Sequence, residues 1–452
     1  MPAEPRTITE VARALRAREI TAEAVTERCL QQIADRNPSI NAFITVLADQ
    51  ALGQARTADR ELAAGRDRGL LHGIPVSLKD IFDVTGTATT AASRVREGHV
   101  ARRDATSVAR LREAGAVFVG KTNLHEFALG TTNEDSAYGP VRHPLDPGRS
   151  PGGSSGGSAA SVLAGMACAS MGTDTGGSIR IPSAACGLVG LKPAYGEIPT
   201  EGVVPLSTTM DHVGPLCRSV EDAAIVYDVL RSDAGVKTAA PRAAPRDARG
   251  MRVGLLRGYF TALLDPQVAS SFEAACERLR SAGVTLDEVA IPHANETAAI
   301  YVHIALAEAA VYHAKTLESR PDDYTMNVRL RLEMGRYIIA EDYVRALRGR
   351  DVLVREVDAA LVGYDALLLP AMAVPATRLG ADTVRVGGSE EPVRNITLRL
   401  TQLFNVTGHP AISVPCEKTL DGLPVGAQLV ATRTPGLLDV ARALEPYLGP
   451  GT

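Results

Sequence analysis

The sequence predicts an α/β protein with a large central mixed, mostly parallel β-sheet flanked by helices. Short apolar runs typical of buried strands alternate with longer runs of helical periodicity, and this alternation favours parallel winding of strands and helices. Strand-like runs occur both before and after a central segment rich in Pro, Ala and Arg, at about residues 232–250. Because that segment has the composition of a surface connector, we expect one sheet rather than two independent domains.

The N-terminal half begins with helical sequence. Thr7 to Glu10 has the spacing of a capping box, and apolar residues follow it at helical intervals. A strand is predicted over Gly73–Ile81, a helix over Val108–Ala114 and another strand over Val117–Val119. The run from Ser158 to Gly172 is rich in small and apolar residues, which predicts a buried helix.

The C-terminal half continues the alternation. Its predicted elements are strands over Val253–Leu256, Val284–Ile291 and Tyr364–Leu369, a helix over Val268–Ser281, and long helices up to about Arg348. We therefore expect a single domain over residues 1–452, with a catalytic core at about 70–220, the connector at about 232–250 and the rest of the same sheet at about 251–452.

The composition excludes several classes of protein. Hydrophobic residues make up 45% and charged residues 22% of the 452 positions, which is typical of a globular chain and not of a disordered or fibrous one. A net charge of −4 provides no basic field for nucleic acid or an anionic membrane. No apolar run reaches the ~18 residues of a membrane span, and the charged N-terminus lacks an apolar signal segment. We expect a cytoplasmic protein.

The cysteines and histidines do not indicate a metal site. None of the six cysteines forms a CxxC pair, and the nine histidines are scattered without HxxxH spacing. Several cysteines lie in Ala- and Val-rich runs that are typical of a core. We therefore expect neither a bound metal nor a disulfide framework.

Two glycine- and serine-rich segments carry the chemistry. Gly152–Ser158 reads GGSSGGS and leads directly into a helix-forming run, which a flexible linker would not normally do. Gly172–Arg180 reads GTDTGGSIR, and its two adjacent glycines permit backbone angles in which successive N–H groups point at one position. Such a nest can hold a developing oxyanion, and Ser178, which follows it, is placed as a nucleophile.

Lysine is rare in this chain, which makes each buried lysine informative. Only six of the 48 basic residues are lysine, and Lys79 lies between Leu78 and the run Asp80-Ile81-Phe82. The pKa of a lysine is ordinarily ~10.4, and burial can lower it by several units, so that the neutral amine acts as a base. The alternative for Lys79 is an amine that reaches the surface while its stem stays buried.

The order of these segments resembles the amidase signature family, serine hydrolases that use a Ser-Ser-Lys triad. The resemblance rests on GIPVSLKD around Lys79, then GGSSGGS, then GTDTGGSIR, and it covers most of the chain. Further segments that match the family are Cys186–Pro193, Gly202–Leu206, Asp211–Leu216, Tyr364–Leu367, Phe404–Asn405 and Gly422–Gly426. The compact chain without appended domains also resembles aryl-amidases and urethanases of this family.

The resemblance implies a role for each matching residue. Ser178 would be the nucleophile, Ser154 the bridging serine after a cis peptide bond, and Lys79 the terminal base. The backbone N–H groups of four consecutive residues would form the oxyanion hole, namely Thr175, Gly176, Gly177 and Ser178. Three further residues would brace the site, namely Ser155, Asp174 and Arg180. The family mechanism needs no metal or organic cofactor.

One alternative uses the same residues in a different way. Gly152–Gly156 also satisfies the G-x-S-x-G pattern of α/β-hydrolase esterases, with Ser154 as the nucleophile and Asp365 and His409 following in the required order. That pattern requires a strand immediately before it. The preceding Pro147–Pro151 does not favour a strand, because it contains two prolines and a glycine.

A second alternative is an A-type glutaminase subunit of a tRNA-dependent amidotransferase. Those relatives carry a glutamine in the segment where this chain has His212. A third alternative is a binding protein without catalytic activity. It is disfavoured, because only the relay requires Lys79, Ser154 and Ser178 together.

The substrate prediction is an aryl or hydrophobic amide, with carbamates as a second class of small molecule. We expect the acyl pocket near Leu129, Gly130 and Thr131 and in the stretch from Tyr324 to Tyr337. Met326 and Met334 in that stretch, with Ile338 and Ile339 directly after it, would add flexible apolar surface, although their spacing also suits plain core. No nucleic acid or membrane partner is expected, and a homodimer is the assembly we assume.

Overall fold

The computed structural model describes residues 7–231 and 244–449, and one sheet of eleven strands runs through these residues beside a separate two-stranded hairpin. The strands in chain order are β1 (Phe43–Val46), β2 (Pro75–Lys79), β3 (Val117–Thr122), β4 (Ala169–Asp174), β5 (Val189–Lys192), β6 (His212–Cys217), β7 (Arg252–Leu256), β8 (Thr285–Val289), β9 (Ala366–Pro370), β10 (Thr383–Val386), β11 (Ser389–Pro392), β12 (Ala411–Lys418) and β13 (Pro424–Val430). The hairpin consists of β10 and β11.

Helices cover both faces of this sheet. They are α1 (Ile8–Arg16), α2 (Ala22–Ile40), α3 (Ala48–Ala63), α4 (Thr106–Glu113), α5 (Gly156–Leu163), α6 (Arg180–Cys186), α7 (Val220–Arg231), α8 (Pro266–Ser281), α9 (Thr297–Ser319), α10 (Met326–Gly335), α11 (Ala340–Leu361), α12 (Val393–Leu398), α13 (Gln402–Val406) and α14 (Thr434–Leu448). The capping box predicted at Thr7 and Glu10 is present. Among these described helices, none has the length and apolar content that a membrane crossing requires.

The predicted fold class is confirmed, but the balance of strand directions differs from the prediction. The strand order is β1-β3-β2-β4-β6-β5-β12-β13-β9-β7-β8. Among these neighbours, only β2–β3, β2–β4, β7–β8 and β7–β9 are parallel. The other six pairs are antiparallel, so "mostly parallel" is wrong. Antiparallel neighbours need no helical crossover, and β12 and β13 are joined by only residues 419–423.

One local prediction needs correction, and another lies largely outside the described residues. The helix predicted over Ser158–Gly172 ends at Leu163, where Gly165 with φ +76° turns the chain into β4. Its helical start at Gly156 agrees with the prediction of a helix after the GGSSGGS segment. Of the predicted connector at 232–250, residues 232–243 lie outside the described residues. Strands on both sides of that segment belong to the one sheet.

The sheet separates two apolar layers. Along β9, Ala366 and Leu368 pack into one cluster of buried residues, while Leu367 and Leu369 pack into another. This alternation follows from the two-residue period of a strand, which points successive side chains to opposite faces. The continuous apolar run that predicted this strand is therefore the sequence of a strand covered on both sides.

Replacing Leu368 with Ala should destabilise the fold strongly. Leu368 is fully buried and lies opposite Leu255 and Leu429 of the neighbouring strands. Loss of its side chain should lower the free energy of unfolding by about 2–5 kcal/mol, because a cavity remains. The control is Val362→Ala, since Val362 is 77% exposed. Urea unfolding followed by circular dichroism measures both, and equal midpoints would contradict the assignment of β9 to the core.

Candidate functional site

Lys79 ends β2 in a fully buried position, and its amine contacts two hydroxyl groups. Lys79 Nζ lies 2.8 Å from Ser154 Oγ and 2.9 Å from Thr173 Oγ1. Thr173 belongs to β4, which pairs with β2 in parallel, so the carboxyl ends of both strands meet at the same edge of the sheet. The alternative of an amine reaching solvent is therefore wrong, because Lys79 is 0% exposed.

Of the five lysines in the described residues, three are fully buried, and their partners differ. Lys121 Nζ forms an ion pair of 2.8 Å with Asp80 Oδ1. Lys192 Nζ donates to two backbone carbonyls, those of Pro193 and His409, at 3.1 and 2.6 Å. Only Lys79 among the three has hydroxyl groups alone as its hydrogen-bond partners in the described residues. This distinguishes the contacts of Lys79 from those of a structural lysine.

The surroundings favour a neutral amine on Lys79. Burial lowers the pKa of Lys79 to about 7, against the opposing charges of Asp211 and Asp174. Burial also raises the pKa of Asp211 to about 6, while hydrogen bonds from Thr175 Oγ1 at 2.6 Å and from the Leu206 N–H at 2.8 Å oppose the shift. Two titratable groups with displaced pKa values thus lie together at the end of β2 and β4.

The first glycine-rich segment is packed too tightly for side chains. The Gly153–Ser154 peptide bond is cis, as the resemblance implies. A Cβ on Gly153 would lie 2.8 Å from the carbonyl carbon of Thr131, and one on Gly157 would lie 2.2 Å from the Asn123 carbonyl oxygen. Close approach of neighbouring backbone therefore explains these glycines better than linker flexibility does.

The second segment connects β4 to α6 and carries Ser178. The Ser155 N–H donates to the Ser178 carbonyl at 3.3 Å, so the two serine-bearing loops are in contact. Within the described residues, the amide N–H groups of positions 175–178 donate to no backbone carbonyl. In the same part of the chain, the hydroxyls of Ser154 and Ser178 form no hydrogen bond with each other. Ser178 is 5% exposed, whereas Ser154 is fully buried.

The loop is anchored by a buried ion pair between Asp174 and Arg180. Arg180 Nη2 lies 2.9 Å from Asp174 Oδ1, and Nε lies 3.0 Å from Oδ2. Burial opposes the ionisation of Asp174, yet the charge and hydrogen bonds of Arg180 outweigh it and hold the pKa of Asp174 below its ordinary value. Arg180 also donates to three acceptors far along the chain, namely Asn405 Oδ1 (2.6 Å), Gln428 Oε1 (2.6 Å) and the Thr401 carbonyl (3.0 Å).

The α/β-hydrolase alternative is wrong. His409 Nε2 lies 3.0 Å from Asp358 Oδ1, and Nδ1 lies 2.9 Å from Thr407 Oγ1, so neither ring nitrogen contacts Ser154. No strand immediately precedes the GGSSG segment in the described residues. Across residues 7–231 and 244–449, no group of His, Cys, Asp and Glu is arranged to hold a metal ion.

The residues expected in the acyl pocket divide into two sets. Thr131 lies against Gly153, and a Cβ on Gly130 would lie 2.1 Å from the ring of buried His125, so this segment does adjoin the site. The hydroxyl of Tyr324 instead forms a hydrogen bond with His313 Nδ1 of α9 (3.0 Å), and the Tyr324 ring lies 5.6 Å from that of Phe127. Leu129 is buried, and its carbonyl accepts from Arg331.

The apolar wall expected from the following stretch lies at the surface. Met326 is 67% exposed and Met334 62%, with Ile339 also exposed, whereas Ile338 packs partly against the core. These methionines therefore do not line an enclosed acyl pocket. The prediction of an aryl substrate loses the wall that Met326 and Met334 were expected to add, while the segment 129–131 remains beside the site.

Several residues near the site were missed by the sequence prediction. Thr173 and Asp211 lie inside segments that match the family. The contact of Thr173 with Lys79 follows only from the pairing of β4 with β2, and that of Asp211 with Thr175 only from the pairing of β4 with β6. Tyr301 of α9 lies so close to the loop that a Cβ on Gly176 would be 2.7 Å from its hydroxyl. No sequence signal indicated Tyr301, because it is one apolar position among many in a long helix.

The chain is similar to known proteins along most of its length. The profile of the family described as Amidase matches residues 24–435. An amidase of Pseudomonas putida is 40% identical over 430 residues, which cover 92% of this chain and 90% of the relative. The A subunit of the glutamyl-tRNA(Gln) amidotransferase of Koribacter versatilis is 38% identical over 473 residues, covering 96% and 97%. A crystal structure of an amidase is 36% identical with a TM-score of 0.91, covering 98% of this chain and 100% of that one.

Arg180→Met should destabilise the protein more than a surface arginine replacement. The variant leaves the buried Asp174 carboxylate without its ion pair, and we expect the free energy of unfolding to fall by about 3–5 kcal/mol. Arg345→Met is the control, because Arg345 is 69% exposed and its ion pairs with Glu341 and Asp342 should contribute about 0–1 kcal/mol. Denaturant midpoints measure the difference. A double variant Asp174→Asn, Arg180→Met should recover part of the loss.

Proposed function

Because the chain belongs to the amidase signature family, we propose that it hydrolyses the C–N acyl bond of amides, and of carbamates, through a Ser-Ser-Lys relay and an acyl-enzyme. The family and the amidase relatives make it a hydrolase acting on carbon–nitrogen bonds. The observation that carries the relay is the Lys79 amine, fully buried and hydrogen-bonded only to the hydroxyls of Ser154 and Thr173 within the described residues.

In the proposed first step, protons move along the relay as a bond to the substrate forms. Neutral Lys79 takes the proton of Ser154, Ser154 takes that of Ser178, and Ser178 Oγ attacks the acyl carbon. The carbonyl π electrons pass to oxygen and give a tetrahedral oxyanion. The N–H groups of residues 175–178 have no backbone acceptor in the described residues, so they are available to stabilise that charge.

In the second step the relay runs backwards. The oxyanion re-forms the carbonyl as the C–N bond breaks, and the leaving nitrogen receives a proton from the Ser154 hydroxyl, which is itself reprotonated by Lys79. Ser178 Oγ stays bonded to the acyl carbon, which leaves the acyl-enzyme. A water molecule then attacks the acyl-enzyme, with the relay accepting its proton and returning it to Ser178 Oγ. This requires a contact between the Ser154 and Ser178 hydroxyls, and catalytic contacts of this kind often tighten only when substrate binds.

The bracing residues act through the loop that carries Ser178. Asp174 receives hydrogen bonds from the N–H groups of Ile179 and Arg180, at 3.2 and 3.3 Å, which fixes the chain directly after the nucleophile. Ser155 donates to the Thr173 carbonyl at 3.3 Å and so ties the bridging serine's loop to β4. We assign both as positioning residues.

A glutaminase subunit is the second candidate function. It is favoured by the similarity to the amidotransferase chain of Koribacter versatilis, which nearly equals the similarity to the Pseudomonas putida amidase. His212 argues against this candidate, because the chain has a histidine in the segment where those relatives carry a glutamine. The His212 ring is buried and hydrogen-bonded to the Met210 carbonyl at 2.7 Å. Glutamine hydrolysis that needs an added second chain would establish this candidate and displace the first.

Covalent trapping should label Ser178 and nothing else. A fluorophosphonate probe should add to the purified chain, and peptide mass spectrometry should place the adduct on Ser178. Ser178→Ala should abolish labelling, and Lys79→Met should slow it by about 10²–10⁴-fold, the usual contribution of a general base. His409→Ala is the matched control and should label like the unmodified chain. An adduct on Ser154, or none at all, would contradict the assignment.

The pH dependence of activity should follow the ionisation of Lys79. The amine acts only when neutral, so kcat/KM should rise about tenfold per pH unit below pH ~7 and level off above it. Asp211→Asn removes a charge that raises the pKa of Lys79, so the midpoint should move to lower pH. If Asp211 itself were the titrating group, the rise would disappear in this variant. Lys79→Arg should be inactive throughout, because a guanidinium stays protonated.

A further inference from the structure

The Gly176–Gly177 peptide bond lies between two positions that have no room for a side chain. A Cβ on Gly176 would lie 2.7 Å from the Tyr301 hydroxyl, and one on Gly177 would lie 2.2 Å from Thr401 Oγ1. Gly177 also has φ +139°, a backbone conformation that residues with a side chain rarely adopt. Packing and backbone conformation therefore require glycine on both sides of this bond.

The same two glycines leave the peptide plane between them weakly fixed. Rotation of this plane changes ψ of Gly176 and φ of Gly177, and neither rotation is hindered by a Cβ. In a trans peptide the C=O and the N–H of one plane point in opposite directions. A flipped plane would turn the Gly176 carbonyl towards the proposed oxyanion hole in place of the Gly177 N–H. That carbonyl oxygen would repel the negative charge that the hole has to stabilise.

The hydroxyl of Thr401 holds this plane from the other half of the chain. Thr401 Oγ1 donates to the Gly176 carbonyl at 2.6 Å, and the Leu398 carbonyl lies farther from it, at 3.2 Å. Thr401 is fully buried between α12 and α13, so water does not compete for its hydroxyl. Its own carbonyl accepts from Arg180 Nη1 at 3.0 Å, which ties Thr401 to the first residue of α6.

The next peptide plane is held in a similar way, but by a local donor. The Ile181 N–H of α6 donates to the Gly177 carbonyl at 2.7 Å. The carbonyls of Gly176 and Gly177 both have a donor, so the N–H groups of Gly177 and Ser178 point to the opposite side. The Gly177 carbonyl is held by the helix turn that follows it, whereas the Gly176 carbonyl depends on one distant side chain, that of Thr401.

We propose that Thr401 is a positioning residue of the hydrolytic reaction. Its hydroxyl holds the Gly176–Gly177 peptide plane in the orientation that presents the Gly177 N–H to the developing oxyanion of the substrate. This inference rests on the proposed amidase function and adds to it a residue 225 positions beyond Gly176. Thr401 acts through the peptide plane and not on the reacting atoms, so its loss should affect the transition state more than substrate binding.

Two replacements of Thr401 separate the role of its hydroxyl from that of its methyl group. Thr401→Val keeps the shape and loses the donor, whereas Thr401→Ser keeps the donor and loses the methyl group. For ammonia release from butyramide, kcat of Thr401→Val should fall about 10²-fold, the usual cost of losing one oxyanion-hole donor, with KM nearly unchanged. The rate constant for labelling of Ser178 by the fluorophosphonate probe should fall as well. Thr401→Ser should keep most of both rates.

The matched control is Thr397→Val. Thr397 is also buried and lies four residues before Thr401, but its hydroxyl donates within α12, to the Val393 carbonyl at 2.7 Å. Its kcat and labelling rate should equal those of the unmodified chain, and urea midpoints compare the folding of the two valine variants. If Thr401→Val does not fold, Thr401→Cys replaces it, because a thiol is only a weak donor and kcat should again fall. The pH midpoint of kcat/KM should stay near 7 in every Thr401 variant, since the proposed relay is unchanged.

The possible failures are distinguishable. If the valine variant is as active as the unmodified chain, or if the serine variant loses more activity than the valine variant, the positioning role is wrong and the amidase function stands. A shifted pH midpoint would also overturn the inference, because the hydroxyl would then act on the relay. Should Ser178 be labelled without turnover of butyramide, the labelling rates alone decide. If the unmodified chain is neither labelled at Ser178 nor active on amides, the proposed function itself fails.

Discussion

The buried ion pair between Asp174 and Arg180 holds together the parts from which the site is built. Asp174 ends β4, Arg180 begins α6, and the loop between them carries the glycines and Ser178. Removing two charges from water is costly, and here the cost is offset by a complete set of hydrogen bonds, since Arg180 reaches acceptors on α13 and β13 as well. The position of the nucleophile therefore depends on contacts from both halves of the sheet.

Burial has different consequences for each of the lysines inside the protein. Lys121 lies opposite the carboxylate of Asp80, whereas Lys79 has only hydroxyl partners in the described residues and a pKa near 7. The difference arises from the strand ends, because β2 and β4 run in parallel and bring Lys79 and Thr173 to the same edge. In such surroundings the lysine amine becomes neutral near pH 7, so no intrinsically stronger base is needed.

Local features of the sequence predicted local features of the structure. The capping box at Thr7, the strands at β2, β3 and β7 and the glycine-rich turns are each encoded within a few residues. β4 was missed because Ala169–Asp174 contains small residues and becomes a strand through pairing with β2 and β6. Strand directions depend on which distant strands pair, and the approach of Tyr301 to Gly176 depends on a helix more than 100 residues away, which no pattern near the loop could indicate. The match of His409 to an esterase pattern arose from order along the chain alone.

The anchoring of Arg180 has a consequence for the growing polypeptide. All three members of the proposed relay have been synthesised once residue 178 is reached, but the acceptors at positions 401, 405 and 428 come more than two hundred residues later. An incomplete chain emerging from the ribosome thus contains every reactive group and none of the distal anchors that immobilise the loop. Immobilisation of the loop therefore waits until residues 401–428 have been synthesised and have packed against Arg180.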